Sequence, residues 1–452
     1  MSQTFSKDFV WGAATAAYQI EGAAHADGKG LSVWDMMCRW PGKVAHGDTG
    51  EVACDHYHRF PEDIALMQSM ALGAYRFSLS WPRILPQGTG TVNEKGLAFY
   101  DRLVDGLLEA GITPWATLFH WDFPYDLFCR GGWLNPDSPR WFADYAEVVI
   151  NRLGDRVTHW MTLNEPQCFL GFGHVTGTQA PGLRLDWPEY LLASHHTLLA
   201  HGRAVQAIRA HSGDRAKIGW APVGVVAMPK DDSPEALEVA RRAMFSMSKP
   251  DFWSNTWFLD PVCFGKYPED GLKVFGKGVP KIGADDMTVI SSPIDFIGLN
   301  IYTGARVEED GSGDFRTVKR ATGFPTSRFD WAVEPSCLYW GPKLINQRYG
   351  KPIVITENGL SSMDWVDLDG KVRDHGRIDF LRRYLRDLRR AQTDGADVMG
   401  YFQWSLLDNF EWAEGYRHRF GLIHVDYPTG TRTPKESAAW YAEVIRSNGA
   451  SL

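Results

Sequence analysis

Residues 158–166 read THWMTLNEP, and residues 351–359 read KPIVITENG. Each is a short apolar run that ends in a carboxylate and stops at once, at Pro166 after Glu165 and at Asn358-Gly359 after Glu357. Runs of this length, with β-branched and aromatic residues and a turn residue at the end, predict buried β-strands. A carboxylate at the exit of a buried strand is costly to desolvate, so two of them in matching positions ask for an explanation in chemistry.

The same pattern recurs along the chain. Strand-like runs are FVWGAATAAY (9–18), AYRFSLS (74–80), TPWATLFH (113–120), THWMTLN (158–164), KIGWAPV (217–223), DFIGLNIY (295–302), PIVITEN (352–358) and VMGYFQWS (398–405). Between them lie amphipathic helical patterns at 61–72, 96–111, 138–154, 190–210 and 377–395, with apolar residues three and four apart. Eight strands alternating with helices predict an α/β fold, a single (β/α)8 TIM barrel over residues 1–452 with long loops on its C-terminal face. A doubly wound open sheet is the alternative, but no Gly-rich phosphate turn follows the first strand. No internal repeat, low-complexity tract or Pro/Gly/Ser linker divides the 452 residues.

Composition bounds the function. The net charge of -8 speaks against a nucleic-acid partner and lowers the expectation of an anionic membrane surface or a polyanionic substrate. The first residues, MSQTFSKDFVWGAATAAYQIEG, carry Asp8 and Glu21 and lack the build of a secretory signal. No uncharged run has the length of a spanning helix, about 18 residues or more. The six cysteines (38, 54, 129, 168, 263 and 337) form no C-x-x-C pair, so reduced thiols and a cytoplasmic location are expected. Aromatic residues are 13% with 19 Trp, a richness that both sugar-stacking platforms and a large core would explain.

In a barrel, active-site residues sit where strands end and in the loops that follow. The polar residues at the predicted strand ends are Gln19 (first), His120 with Trp121 (third), Asn164 with Glu165 (fourth), Asn300 with Tyr302 (sixth), Glu357 (seventh) and Trp404 (eighth). The stretches 305–331 and 361–376 are long enough to shape or cover such a site. A pair of carboxylates at a barrel mouth suits cleavage of a glycosidic bond, one acid protonating the leaving oxygen and the other attacking the anomeric carbon or activating water.

The motifs FVWGAATAAYQIEGA, RFSLSWPRI, LFHWDFP, TLNEP, ITENG and WSLLDNFEWAEGYRHRFGL occur in this order, and the set resembles glycoside hydrolase family 1, the β-glucosidase family, from about Phe9 to Tyr441. The resemblance implies a retaining exo-β-glycosidase, expected to be a β-glucosidase that also takes β-galactosyl or β-fucosyl groups. It implies Glu165 as general acid/base and Glu357 as nucleophile, with a covalent glycosyl-enzyme. Arg76 and Tyr302 are the expected donors that keep Glu357 anionic, while a neighbouring anion and partial burial would keep Glu165 protonated. Asn164 is expected at the sugar 2-hydroxyl, and Gln19, His120 and Trp121 at the 3- and 4-hydroxyls. Asn300, Trp404, Glu411, Trp412 and Phe420 complete the expected binding ring, with Trp404 under the sugar and Glu411 at the 4- and 6-hydroxyls. No metal and no cofactor is implied. The expected partners are small β-glucosides and short β-linked oligosaccharides such as cellobiose, and a homo-oligomer is compatible with the sequence. A non-catalytic sugar-binding barrel would lose one of the two carboxylates, and a relative relying on an outside base would carry an amide at Glu165. Transglycosylation would use the same residues.

Two details differ within the resemblance. Glu411 stands where relatives acting on 6-phosphorylated sugars carry a small polar residue, so charge repulsion is expected to exclude a phosphate. Gln179, in GTQAPG (177–182), replaces a His often found there, on what is expected to be the leaving-group side. Other motifs read as structural: Cys54, His56 and His58 lack a second ligand pair for zinc, His195, His196 and His201 fall on one long helix, and RRYLRDLRR (382–390) fits the outer face of a barrel helix.

Overall fold

Eight parallel strands form one sheet: β1 (Val10–Ala14), β2 (Ala74–Ser78), β3 (Thr113–Phe119), β4 (His159–Asn164), β5 (Lys217–Ala221), β6 (Ile297–Asn300), β7 (Ile353–Asn358) and β8 (Val398–Trp404). They belong to a computed structural model that describes residues 4–311 and 314–452. The strands pair in chain order from β1 to β5, and β1 also pairs with β8, β8 with β7 and β7 with β6. The ring closes between β5 and β6, where Asp295 N–H donates to Ile218 O at 2.7 Å and Asn300 N–H to Pro222 O at 3.1 Å. All eight lie inside the runs expected from sequence, as a barrel buried on both faces requires.

Each strand is wrapped because its outward residues need cover. The helices that supply it include α1 (His56–Ser69), α2 (Glu94–Glu109), α3 (Ser138–Leu153), α4 (Trp187–Ser212), α5 (Cys337–Tyr349), α6 (His375–Thr393) and α7 (Glu436–Arg446). On α2 the buried side chains Leu97, Tyr100, Val104 and Leu107 recur at helical spacing. On α6 Phe380, Leu381, Tyr384, Leu385 and Leu388 face the barrel while Arg382, Arg383, Arg386 and Arg390 do not, as the basic run suggested.

A separate inner cluster fills the lower barrel. It joins Ala74, Trp115, Met161, Phe296, Val354 and Phe402, with the Trp115 ring 5.1 Å from Phe402 and 5.5 Å from Phe296. This plug leaves the C-terminal half of the barrel as a blind pocket. Pairing shifts register between Met161 and Asn164 on β4 and between Ile355 and Glu357 on β7. Irregularities of this kind turn side chains away from the regular alternation, and both precede a strand-end glutamate.

The long stretches between strands, expected as loops, carry structure of their own. Ala305–Glu309 pairs with Phe315–Thr317 and with Ala227–Pro229 in a small three-stranded sheet, and Ile423–Asp426 with Thr431–Pro434 forms a hairpin. Gln19, expected at the end of the first run, lies beyond β1 in a single helical turn, Ala17–Ile20.

Candidate active site

Glu165 and Glu357 leave β4 and β7 and face one cavity of about 620 Å³. Glu165 adopts φ 47°, a left-handed conformation that is strained for a side chain of this size. Pro166 disfavours the ordinary helical backbone at the residue before it. Glu165 therefore occupies the N-cap position of the helix Pro166–Leu170 without its carboxylate bonding the helix N–H groups. One carboxyl oxygen, Oε1, accepts from Asn300 Nδ2 at 2.9 Å instead.

Glu357 has different company. Arg76, fully buried on β2, donates from Nη1 to Glu357 Oε1 at 2.7 Å, and the Tyr302 hydroxyl donates to Oε2 at 2.7 Å. Arg76 also donates from Nη2 to Asn164 Oδ1 at 2.6 Å. Burial, then the charge of Glu357, pushes Glu165 up to about 8. Burial pushes Glu357 up as well, but the guanidinium of Arg76 and the hydroxyl of Tyr302 act against it. The shared proton of the pair therefore belongs on Glu165.

A hydrogen-bond count fixes the orientation of the remaining amides and the imidazole. Asn164 Oδ1 accepts from Arg76 and, at 3.0 Å, from Asn300 Nδ2, so the Asn164 amide nitrogen faces His120 Nε2 at 3.0 Å. That nitrogen donates, so His120 accepts at Nε2 and carries its proton on Nδ1. Burial, then the charge of Arg76, holds His120 well below the usual histidine range, which keeps the ring neutral. Trp121 donates its indole N–H to Asn164 O at 3.0 Å, leaving its ring to line the cavity. That narrows the expectation that Trp121 holds a sugar hydroxyl.

Gln19 Oε1, His120 Nδ1 and Glu411 Oε2 are buried at this end without a partner among the described residues. Gln19 is held by Nε2, which donates to Phe410 O at 2.8 Å and Asn409 Oδ1 at 3.1 Å. Glu411 is pushed up to about 8 by burial, then by Glu357 and Glu165. At neutral pH it is largely protonated, which weakens the charge repulsion expected against a phosphate. The aromatic walls are Trp404, 5.7 Å from the His120 ring, Trp412, 4.6 Å from the Trp121 ring, and Phe420.

The outer cavity adds residues that the sequence did not point to as part of the site: Cys168, Phe172, Trp253, Arg320, Phe329 and Trp331. Phe329 and Trp331 lie in the stretch 305–331 that its length had flagged, whereas nothing in the local sequence singles out Trp253. Gln179 also lines this cavity, with Oε1 buried and unpartnered. The histidines read as structural lie elsewhere: His56 bonds Asp63 at 2.7 Å, His195 bonds Tyr267 at 2.9 Å and Asp286 at 2.9 Å, and His201 bonds Thr162 at 2.7 Å.

The profile of glycosyl hydrolase family 1 matches residues 1–450. The chain is 46% identical to β-glucosidase A of Acetivibrio thermocellus, over 99% of each. It is 40% identical to the aryl-phospho-β-D-glucosidase BglC of Bacillus subtilis, over all of this chain and 99% of that one. The β-glucosidase of Thermotoga maritima solved in complex with glucoimidazole superposes with a TM-score of 0.91 at 44% identity, covering 99% of this chain and all of the other.

Proposed function

The chain belongs to glycosyl hydrolase family 1, and we propose from its site which residues carry the reaction. The enzyme is a retaining β-glycosidase that hydrolyses terminal β-D-glucosyl groups. The blind end made by the Trp115 layer suits attack on a chain end rather than along a chain. We assign the whole barrel, 1–452, to one catalytic domain.

One observation carries the assignment of roles: Glu357 has Arg76 and Tyr302 on its two oxygens, and Glu165 has only the neutral Asn300 amide on Oε1. Glu357 is the nucleophile. Its carboxylate bonds to the anomeric carbon as the glycosidic bond breaks, and the leaving oxygen takes the proton from Glu165. The ester neutralises Glu357, which removes the repulsion that raised Glu165. Glu165 then takes a proton from water, the water oxygen bonds to the anomeric carbon, and Glu357 leaves as a carboxylate.

The unpartnered atoms define the sugar site. Asn164 has one amide hydrogen left after His120, and we assign it to the 2-hydroxyl. His120 Nδ1 can donate and Gln19 Oε1 can accept at the 3- and 4-hydroxyls. Glu411 serves the 4- and 6-hydroxyls, with Trp404 and Trp412 as apolar faces. A neutral Glu411 both donates and accepts. Unphosphorylated sugars are favoured because burying a phosphate beside Glu411 without a facing cation is costly, and ionised Glu411 adds repulsion at higher pH. The six cysteines are unpaired, in keeping with a reducing cytoplasm, and among the described residues no helix is long and apolar enough to cross a membrane.

Azide tests the roles. Glu357→Ala with azide should yield α-glucosyl azide, and Glu165→Ala should yield the β-anomer from an activated aryl glucoside. Exchange of the two anomers between the variants would reverse the assignment.

A further inference from the structure

Glu357 is aimed by Arg76 and Tyr302, and Glu165 by Asn300. The Glu411 carboxyl, by contrast, makes no hydrogen bond among the described residues, and its Oε2 is buried. The aim of Glu411 is therefore left to its backbone. That backbone is a tight turn. Glu411 N–H donates to Gly415 O at 2.7 Å, and Glu414 N–H donates to Glu411 O at 2.9 Å. Trp412, inside the turn, has φ 50°, a left-handed conformation that a bulky residue keeps only when its surroundings hold it.

One peptide group closes the turn, and it is bonded on both sides. Its carbonyl, Gly415 O, accepts from Glu411 N–H, and its N–H, from Tyr416, donates to Asp48 Oδ2 at 2.9 Å. A trans peptide points these two groups in opposite directions, so the group lies between Glu411 and Asp48. A carboxylate is a strong acceptor, and it polarises the peptide so that its carbonyl binds Glu411 N–H more firmly. Asp48 lies 368 residues before Tyr416, in the stretch between β1 and α1, where its own N–H donates to Ala45 O at 3.1 Å. Gly415 makes room for it: φ is 59°, and a Cβ there would overlap Asp48 Oδ2. Asp48 is half-buried and does not line the cavity. The Tyr416 hydroxyl also donates to Thr49 O at 2.7 Å, so the two loops stay joined when the Asp48 carboxylate is removed.

Resting on the assignment of Glu411 to the 4- and 6-hydroxyls, we propose that Asp48 is a positioning residue for sugar recognition. Through the peptide between Gly415 and Tyr416, its carboxylate fixes the backbone from which Glu411 reaches the 6-hydroxyl.

The test compares 4-nitrophenyl β-D-glucoside with 4-nitrophenyl β-D-xyloside, which lacks the hydroxymethyl group. Both sugars carry the 4-hydroxyl, so the ratio of their kcat/KM values isolates the 6-hydroxyl. Asp48→Ala should lower kcat/KM about five- to tenfold for the glucoside and no more than about twofold for the xyloside. Asp48→Asn keeps an oxygen acceptor for Tyr416 N–H and should restore the ratio. In Glu411→Ala no carboxyl is left to aim, so adding Asp48→Ala should leave the ratio where the single variant puts it. Active sites are counted by trapping with the 2-deoxy-2-fluoro analogue, so misfolded protein does not enter the rates. An equal loss on both substrates in Asp48→Ala, an unchanged ratio, or a further fall of the ratio in the double variant would overturn the proposal while leaving Glu411 in place. If Glu411→Ala alone leaves the ratio unchanged, the assignment of Glu411 fails, and the role of Asp48 falls with it.

Discussion

Two clusters of buried acids meet at the C-terminal face, and they are built by opposite rules. In the cavity Arg76 pairs with Glu357 and acts on Glu165, and Glu411 Oε2 has no partner among the described residues. Behind the wall formed by Phe420, Asp364, Asp374 and Asp408 meet Arg377, Lys435 and Arg419. Lys435 Nζ donates to Asp364 at 2.5 Å and Asp408 at 2.8 Å, Arg377 Nε to Asp374 at 2.9 Å, and Arg419 Nη1 to Asp408 at 2.7 Å. The consequence shows in the proton equilibria. Glu165 and Glu411 are pushed up to about 8, with burial the largest cause. Asp364 is also buried, yet Arg377 and Lys435 hold it down to about 2. Burial alone therefore does not make an acid reactive. What distinguishes the cavity is the deficit of cations, which leaves protons movable and hydrogen-bonding atoms open for a sugar.

The second cluster also serves the first. Arg377 donates to Phe420 O at 3.2 Å and to Leu360 O, and Asp408 accepts from Gly421 N–H at 2.9 Å. These bonds brace the segment that carries Trp404, Glu411 and Phe420.

The sharpest break between the clusters is catalytic. Glu357→Ala should cost on the order of 10⁴-fold or more in kcat, restored in part by azide, with the protein still folded. Lys435→Met should do the reverse. It leaves Asp364 with Arg377 alone and Asp408 with Arg419 alone, one cation short for the buried acids, and should cost about 3–5 kcal/mol of stability in denaturant unfolding, while kcat per folded molecule changes only a few-fold. A large kcat loss with unchanged stability would show that the network belongs to the site.

A smaller effect of opposite sign is expected in the cavity. A carboxyl raised from 4.5 to about 8 destabilises the fold increasingly as pH rises between those values. Glu165→Gln should therefore raise stability by about 1–3 kcal/mol at pH 8 and by little at pH 4. Asp364 runs the other way. Its depressed value contributes stability that is present above the ordinary 3.8 and is lost as pH falls toward 2. Wild type should lose thermal stability across that window, and Asp364→Asn should start lower and show a flatter slope there. The smallest effect expected concerns substrate choice: kcat/KM for 4-nitrophenyl β-glucoside should exceed that for its 6-phosphate by about tenfold or more, with the margin widening above pH 8.

The barrel strands were legible because a parallel barrel buries both faces, which writes continuous apolar runs such as PIVITEN. The strand-end acids were legible for the same reason, since Glu357 is the one charge in its run. The saturated network was not. Lys435 and Asp364 lie 71 residues apart, so no local pattern announces the pair. The sheet at Ala305–Glu309 escaped notice because its strands are short and half exposed, without the apolar run that marks the barrel. The protonation of Glu411 was also invisible in EWAEGY, because it depends on burial and on two acids from other strands.

Glu165 holds its proton first because it is buried and then because Glu357 stands beside it as an anion, and that second cause is the one the reaction switches off. The most direct measurement follows the Glu165 carboxyl carbon by NMR across pH, assigned with Glu165→Gln and Glu411→Gln, in free enzyme and after Glu357 is esterified by a 2-fluoroglucosyl group. The account predicts a midpoint near 8 in the free enzyme, falling by about one unit or more once the ester forms. A midpoint near the ordinary 4.5 in the free enzyme, or one that the ester leaves unmoved, would contradict it.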